Sequence, residues 1–157
     1  MKLLFKQRLF SWLDSYDIFN EYGETAFTVE GKLAWGHKLE ILDPAGRHLG
    51  IVKEEVLTFL PRFALYLGDT YIGQIKKELT FLKPKFTLDC RGWQVNGDWV
   101  EWDYQVTDSH GHTVMTASKE LFHWTDTYVM DIARDEDALL CLMIVLAIDA
   151  AKCSAGE

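Results

Sequence analysis

The motifs that usually announce an enzyme are missing from these 157 residues. There is no phosphate-cradling Gly-x-x-x-x-Gly-Lys-Ser/Thr loop, no Gly-x-Gly-x-x-Gly dinucleotide turn, no Gly-x-Ser-x-Gly elbow and no His-Glu-x-x-His pair. No Asp-x-Asp-x-Asp-Gly loop offers a calcium site. These gaps remove the common nucleotide, hydrolase and metalloprotease classes, and no cofactor is expected. Proline is scarce, at three residues. No linker or low-complexity tract interrupts the chain, so residues 1–157 read as one domain. Basic residues number 16 against 24 acidic, a net charge of −8. That balance argues against a generic nucleic-acid or anionic-membrane binder. Only three cysteines occur, Cys90, Cys141 and Cys153. They cannot all pair within the chain, and none has zinc or redox spacing, so a reducing cytoplasm is the expected setting. Lys6 and Arg8 interrupt the opening apolar residues too early for a signal peptide, so the start reads as a first strand.

What the chain does have is a succession of short strands and tight turns. Strand patterns cover residues 25–29, 38–42, 48–54, 63–67, 70–78, 93–95, 100–106, 113–121 and 127–132. Turns are expected at Glu30-Gly31, at Asp43-Pro44-Ala45-Gly46 with proline in the second position of a type I turn, at Gly68-Asp69, at Asn96-Gly97 and at 108–111. In 100–106, Val100, Trp102, Tyr104 and Val106 share one face, while Glu101, Asp103 and Gln105 share the other. Residues 39–55, 65–79 and 104–121 follow one plan of strand, Asp/Gly turn and returning strand, which suits successive hairpins of one antiparallel sheet.

One long apolar run stands out, residues 138–148. It has no polar position, and a helix that is hydrophobic all round must be buried on all sides. It is shorter than the roughly 20 residues that span a bilayer. Leu139, Leu142, Met143, Ile144 and Leu146 are the expected core of this helix. Asp135 is its expected cap, with Glu136 and Asp137 favoured by the dipole, and Asp149 and Lys152 mark its expected exit from the core. A strand-rich chain with one wholly apolar helix predicts a mainly β fold. The expected form is a closed antiparallel barrel of about twelve strands around a single buried C-terminal helix.

Few residues suggest chemistry. His110 and His112 flank Gly111 and could share a face toward a transition metal, but they sit in a turn without completing ligands. His37, His48 and His123 are scattered, and a dyad of Cys90 with any of them cannot be read from spacing. Trp93, Trp99, Trp102 and Trp124 could stack on bases. However, Asp98, Glu101 and Asp103 surround Trp102 and would repel phosphate, so barrel-core packing is the expected role.

The order of elements resembles the LURP-one-related proteins of the tubby C-terminal domain-like superfamily. The opening 3–8 strand, Tyr16-Asp17-Ile18-Phe19, the turns 43–46 and 108–111 and the apolar 138–148 carry that resemblance. It implies the same barrel around a hydrophobic helix. Because tubby proteins bind phosphoinositides, it also draws attention to Lys76, Lys77, Lys83 and Lys85, a local basic concentration offset only by Glu78. The plainer reading of these lysines is a solvated strand edge. The leading expectation is a non-enzymatic binding or scaffold module for a protein partner or a small amphipathic ligand. Such a module is not integral to a membrane and does not bind nucleic acid. The alternatives are a peripheral phospholipid-binding domain, with weak membrane-surface contact, and an enzyme of unrecognised mechanism.

Overall fold

The computed structural model describes residues 1–5, 14–81, 85–122 and 125–154, and at 33, 121, 122, 125, 126, 153 and 154 the backbone alone. The strands are β1 (Lys2–Phe5), β2 (Ser15–Asn20), β3 (Thr25–Ala34), β4 (Gly36–Leu42), β5 (His48–Glu54) and β6 (Arg62–Leu67). They continue as β7 (Thr70–Glu78), β8 (Lys85–Asp89), β9 (Gln94–Asp98), β10 (Asp103–Thr107), β11 (Thr113–Phe122) and β12 (Thr125–Ile132). A short 3-10 turn, Asp135–Asp137, leads into the single α-helix, α1 (Ala138–Ser154).

From β1 to β8 and from β9 to β12 each strand pairs antiparallel with the next in the chain, and β1 also pairs with β12, in the order β8-β7-β6-β5-β4-β3-β2-β1-β12-β11-β10-β9. The twelve strands form a nearly closed barrel. The expected closure stops at one seam: among the described residues no ladder joins β8 to β9, and an open groove of about 440 Å³ lies between them, lined by Phe86, Leu88, Trp93 and Val95.

Alternation with period two puts one side chain in two inward along each strand. Leu3, Ile18, Leu39, Ile41, Val52, Phe63, Leu65, Ile75, Val106, Met115 and Met130 are fully buried on that inner face. They close around α1. Leu142, Met143, Ile144 and Leu146 are completely buried, and Leu139 is half-buried against the cluster. Met143 packs against the wall at Gly50, where even a Cβ would lie 3.2 Å from its sulfur. The helix therefore fills the interior.

Several local expectations are corrected. Glu30-Gly31 is not a turn: β3 runs through it, with Gly31 opposite Leu39, and the chain reverses at Trp35 instead. Asn96-Gly97 lies inside β9, opposite Gln105 and Tyr104. Glycine is needed at 97 for close approach rather than reversal, because at φ +114° a Cβ would sit 2.7 Å from both the Asp103 carbonyl oxygen and the Tyr104 Cα. The reversal falls on residues 99–102, where the Asp98 carboxylate accepts the N–H groups of Val100 and Glu101 at 3.1 and 3.2 Å. The strand expected over 100–106 begins only at Asp103, and Val100 is exposed while Trp102, Tyr104 and Val106 face inward. Asp135 does not cap α1: Arg134 precedes the 3-10 turn and makes no side-chain capping bond, and the Asp135 carboxylate faces the N-terminal ammonium at 3.6 Å. Asp149 and Lys152 do not mark an exit either, since both are buried and α1 continues to Ser154.

Candidate functional site

All-antiparallel pairing makes successive connections alternate between the two ends of the barrel. The turns after β2, β4, β6 and β10, with the start of α1, occupy one end. The connections β3–β4, β5–β6, β7–β8 and β9–β10, with the C-terminal end of α1, occupy the other.

The first end is polar and acidic. Asp43 accepts the N–H groups of Ala45 and Arg47 at 2.9 Å each, and Asp108 accepts those of His110 and His112 at 2.9 Å each. Both carboxyls are held below their usual range, chiefly by the backbone N–H groups of Arg47 and His112 respectively. His110 and His112 are therefore turn residues, both exposed, with ring centroids 6.2 Å apart and the His112 ring beside Asp108. Among the described residues no three His, Cys, Asp or Glu side chains gather where a metal could be held.

The second end is different. Trp35, Leu57, Phe59, Leu79 and Phe81 stand on three consecutive connections, with exposures of 79%, 97%, 93%, 64% and 102%. Scattered exposed apolar residues are ordinary, but five on the connections at one end single that end out from the other. The connections are tied together: the Lys77 N–H donates to the Pro61 carbonyl at 3.0 Å, which joins the β5–β6 connection to β7. Sequence inspection misses this crown because its members are spread over residues 35 to 81 on three separate connections.

Beside the crown, the buried end of α1 meets the β9–β10 turn. The Lys152 ammonium donates to the carbonyls of Trp99 and Val100 at 3.2 and 3.1 Å and lies 5.8 Å from the Trp102 ring centroid. A pocket of about 260 Å³ opens here, lined by Val100, Glu101, Trp102, Lys119, Tyr128, Asp149 and Lys152. Trp102 adopts φ +57°, a conformation that costs a bulky residue of order 1–3 kcal/mol and signals over-determination by its surroundings. Its indole N–H, like the Tyr104 hydroxyl, is buried with no hydrogen-bond partner among the described residues. Burial, and then the Asp149 charge, push the Tyr104 and Tyr16 phenols upward. The mixture of lysines and carboxylates gives the pocket no net preference for an anion.

The four lysines singled out in sequence do not converge. Successive residues of β7 face opposite ways, so Lys76 points outward and Lys77 inward, its ammonium 5.3 Å from the Trp99 ring centroid. Lys76 and Lys85 flank Glu78: Lys76 pairs with it at 3.2 Å and Lys85 stands opposite in register. The Thr87 hydroxyl, then Lys76, lowers the Glu78 carboxyl. Lys83 lies outside the described residues, as do His123 and Trp124. A basic row that the sequence conceals lies elsewhere. Lys32, Lys38 and Lys53 are directly opposite one another across β3, β4 and β5. Inward-facing Leu39 and Val52 put all three on the outer face, just behind Trp35.

The two described thiols, Cys90 and Cys141, are not poised as nucleophiles. Burial raises both, Cys90 in direction and Cys141 to about 12. Of the other aromatics, Trp93 and Trp99 are buried, and the Phe86 and Trp99 rings meet edge to face at 4.9 Å, which is packing rather than a stacking platform.

With this geometry in place, comparison with known proteins is informative. Residues 1–149 match the LURP-one-related family. The chain belongs to that family. A Bacillus subtilis (strain 168) relative, "Uncharacterized protein YxjI", is 31% identical over 150 residues, covering 95% of this chain and 92% of its own. A solved X-ray structure of an Arabidopsis thaliana protein shares the fold, with a TM-score of 0.65 at 17% identity over 95% of this chain and 90% of the other. This LURP-one-related chain therefore has a fold shared with a plant protein. Among its described residues, no helix is long and apolar enough to cross a membrane.

Proposed function

We propose that this LURP-one-related protein is a non-enzymatic binding module whose working surface is the crown end of the barrel. The observation that carries this reading is the gathering of Trp35, Leu57, Phe59, Leu79 and Phe81 at one end. Binding inside the barrel, as in smaller ligand-carrying barrels, is blocked because α1 occupies the interior. Recognition is left to the outer surface, where large apolar exposure is otherwise unfavourable. The protonated, buried thiols argue for binding over nucleophilic catalysis. A cytoplasmic setting fits the free thiols of Cys90 and Cys141.

The test uses 8-anilinonaphthalene-1-sulfonate, whose fluorescence reports accessible apolar surface. The folded protein is expected to bind the dye. A variant with Phe59→Ser and Phe81→Ser is expected to lose that binding while melting at the wild-type temperature. Equal dye binding by both proteins, or a large drop in melting temperature, would overturn the reading by showing that the crown is not a free surface.

A further inference from the structure

We propose that the seam between β8 and β9 is a second binding site, beyond the crown, and that its occupant is an extended basic peptide inserted as an added strand. Every other strand of the barrel is paired on both sides, whereas among the described residues β8 pairs only with β7 and β9 only with β10. The backbone link across the seam is the Trp93 N–H, which donates to the Cys90 carbonyl at 3.1 Å in the turn joining the two strands. In a strand paired on one side, alternate residues turn both N–H and C=O to the open side. Two edges of five residues each therefore present about four to six such residues to the groove.

Open edges are normally blunted by proline, bulges or inward charges. Within their ranges β8 and β9 show none of these. Their ladders with β7 and β10 run without a register shift, and their inward positions, Phe86, Leu88, Val95 and Gly97, carry no charge. Such edges suit strand addition: backbone pairing supplies affinity, and alternate side chains meet the apolar lining. An inserted strand runs antiparallel to one edge and parallel to the other, and both arrangements pair its backbone. Lipid chains and nucleic acids have no matching row of N–H and C=O groups. A second copy does not fit either. Its β8 and β9 are each backed by a neighbouring strand, which a slot between two edges does not admit.

Charge sets the sign of the occupant. At the seam, Lys76 and Lys85 stand against Glu78, and Arg91 lies 3.5 Å from Asp137. Asp89, Asp98, Glu101 and Asp103 are exposed and have no ion-pair partner among the described residues. Asp98 and Asp103 are directly opposite each other, an arrangement of like charges that a cation from outside relieves. The seam is also continuous with the crown, since the β7–β8 connection at its mouth carries Leu79 and Phe81.

The experiment selects peptides from a random dodecapeptide display library on the full chain and measures the leading peptide by fluorescence anisotropy. Selected peptides are expected to alternate apolar and polar residues over about five positions, the length of each edge, and to carry Lys or Arg. N-methylation of every second amide of the leading peptide is expected to weaken binding at least about tenfold, since each backbone hydrogen bond is worth about two- to tenfold. Val95→Lys sets a cation in the apolar lining at a half-buried position and is expected to weaken binding about tenfold or more. Asp98→Asn with Asp103→Asn keeps an acceptor for the 99–102 turn and is expected to cost about threefold per charge. Both variants should melt close to wild type. In the free protein, amide exchange followed by NMR should be fast at alternate residues of β8 and β9 and slow on both strands when peptide is bound.

Failure to enrich any peptide overturns the proposal, as do acidic or non-alternating selections and an N-methylated peptide that binds as well as its parent. Slow exchange along both edges in the free protein also overturns it, because the edges are then already covered by this chain. Binding that survives Val95→Lys but is lost with Phe59→Ser and Phe81→Ser places the peptide on the crown, so the seam proposal falls while the binding end stands. Binding lost with Val95→Lys and kept by the crown variant places it in the seam, whatever the crown binds. If Val95→Lys melts well below wild type, the N-methylated peptide and the exchange pattern decide.

Discussion

Lys77 holds its ammonium 5.3 Å from the centroid of the Trp99 ring, inside the barrel wall and 6% exposed. Its neighbour Lys76 points the opposite way, toward Glu78. Two adjacent lysines thus do different jobs, one in packing and one at the surface. Lys77→Met keeps the stem and removes the cation over the ring, with an expected loss of about 1–2 kcal/mol in urea unfolding. Lys77→Glu is expected to cost more, while Lys76→Gln should fall within about 0.5 kcal/mol of wild type. Equal stabilities for all three would show that the ring contact contributes nothing.

The buried helix is the most demanding part of the fold. Leu142→Ala is expected to cost about 2–5 kcal/mol, because the closed wall cannot collapse onto the cavity. Leu142→Asp or Ile144→Asp should prevent soluble folding, since each buries a carboxylate without a partner. Tyr22→Ala, at a residue 80% exposed, is the control and should be nearly silent. Wild-type thermal stability in either aspartate variant would contradict the central position of α1.

Gly73 lies where β7 passes β8. At φ +150° a Cβ would sit 2.1 Å from the Asp89 carbonyl oxygen and 2.9 Å from the Cys90 Cβ. Gly73→Ala must therefore push two backbones apart, and a loss of about 2 kcal/mol or more is expected. Chemical denaturation is the measure, and a neutral result would show that the β7–β8 ladder has slack.

Alkaline pH should weaken the fold. Cys141 rises from 9.0 to about 12 on folding, chiefly through burial, and the Tyr104 and Tyr16 phenols are also raised above 10.0. The folded state therefore keeps protons that the unfolded state releases first. The stability tied to Cys141 is whole below pH 9.0 and is lost progressively as pH rises toward about 12, with the tyrosines adding their share from pH 10.0 upward. Urea midpoints across this range should fall in wild type and fall less steeply in Cys141→Ala. Cys141 should also resist alkylation in the folded protein near neutral pH.

Periodicity and local turn chemistry were enough to read much of this molecule. Strands 48–54 and 70–78 have the expected ends because each is bounded by a turn whose residues act locally, such as Asp43 accepting the N–H groups of its own turn. The helix was legible because a run without a polar position admits only a fully buried place. Other features depended on contacts between distant residues. Gly97 resembles a turn residue until β10 is placed beside it, and then its missing side chain is what allows Tyr104 to approach. Lys76 and Lys77 are neighbours in the chain yet are separated by the sheet, whereas Lys32, Lys38 and Lys53 are far apart in the chain yet form one row. The five apolar tips share an end only because every strand pair is antiparallel. A linear pattern records which face a residue takes within its own strand, but register and barrel closure decide which residues from other strands lie beside it.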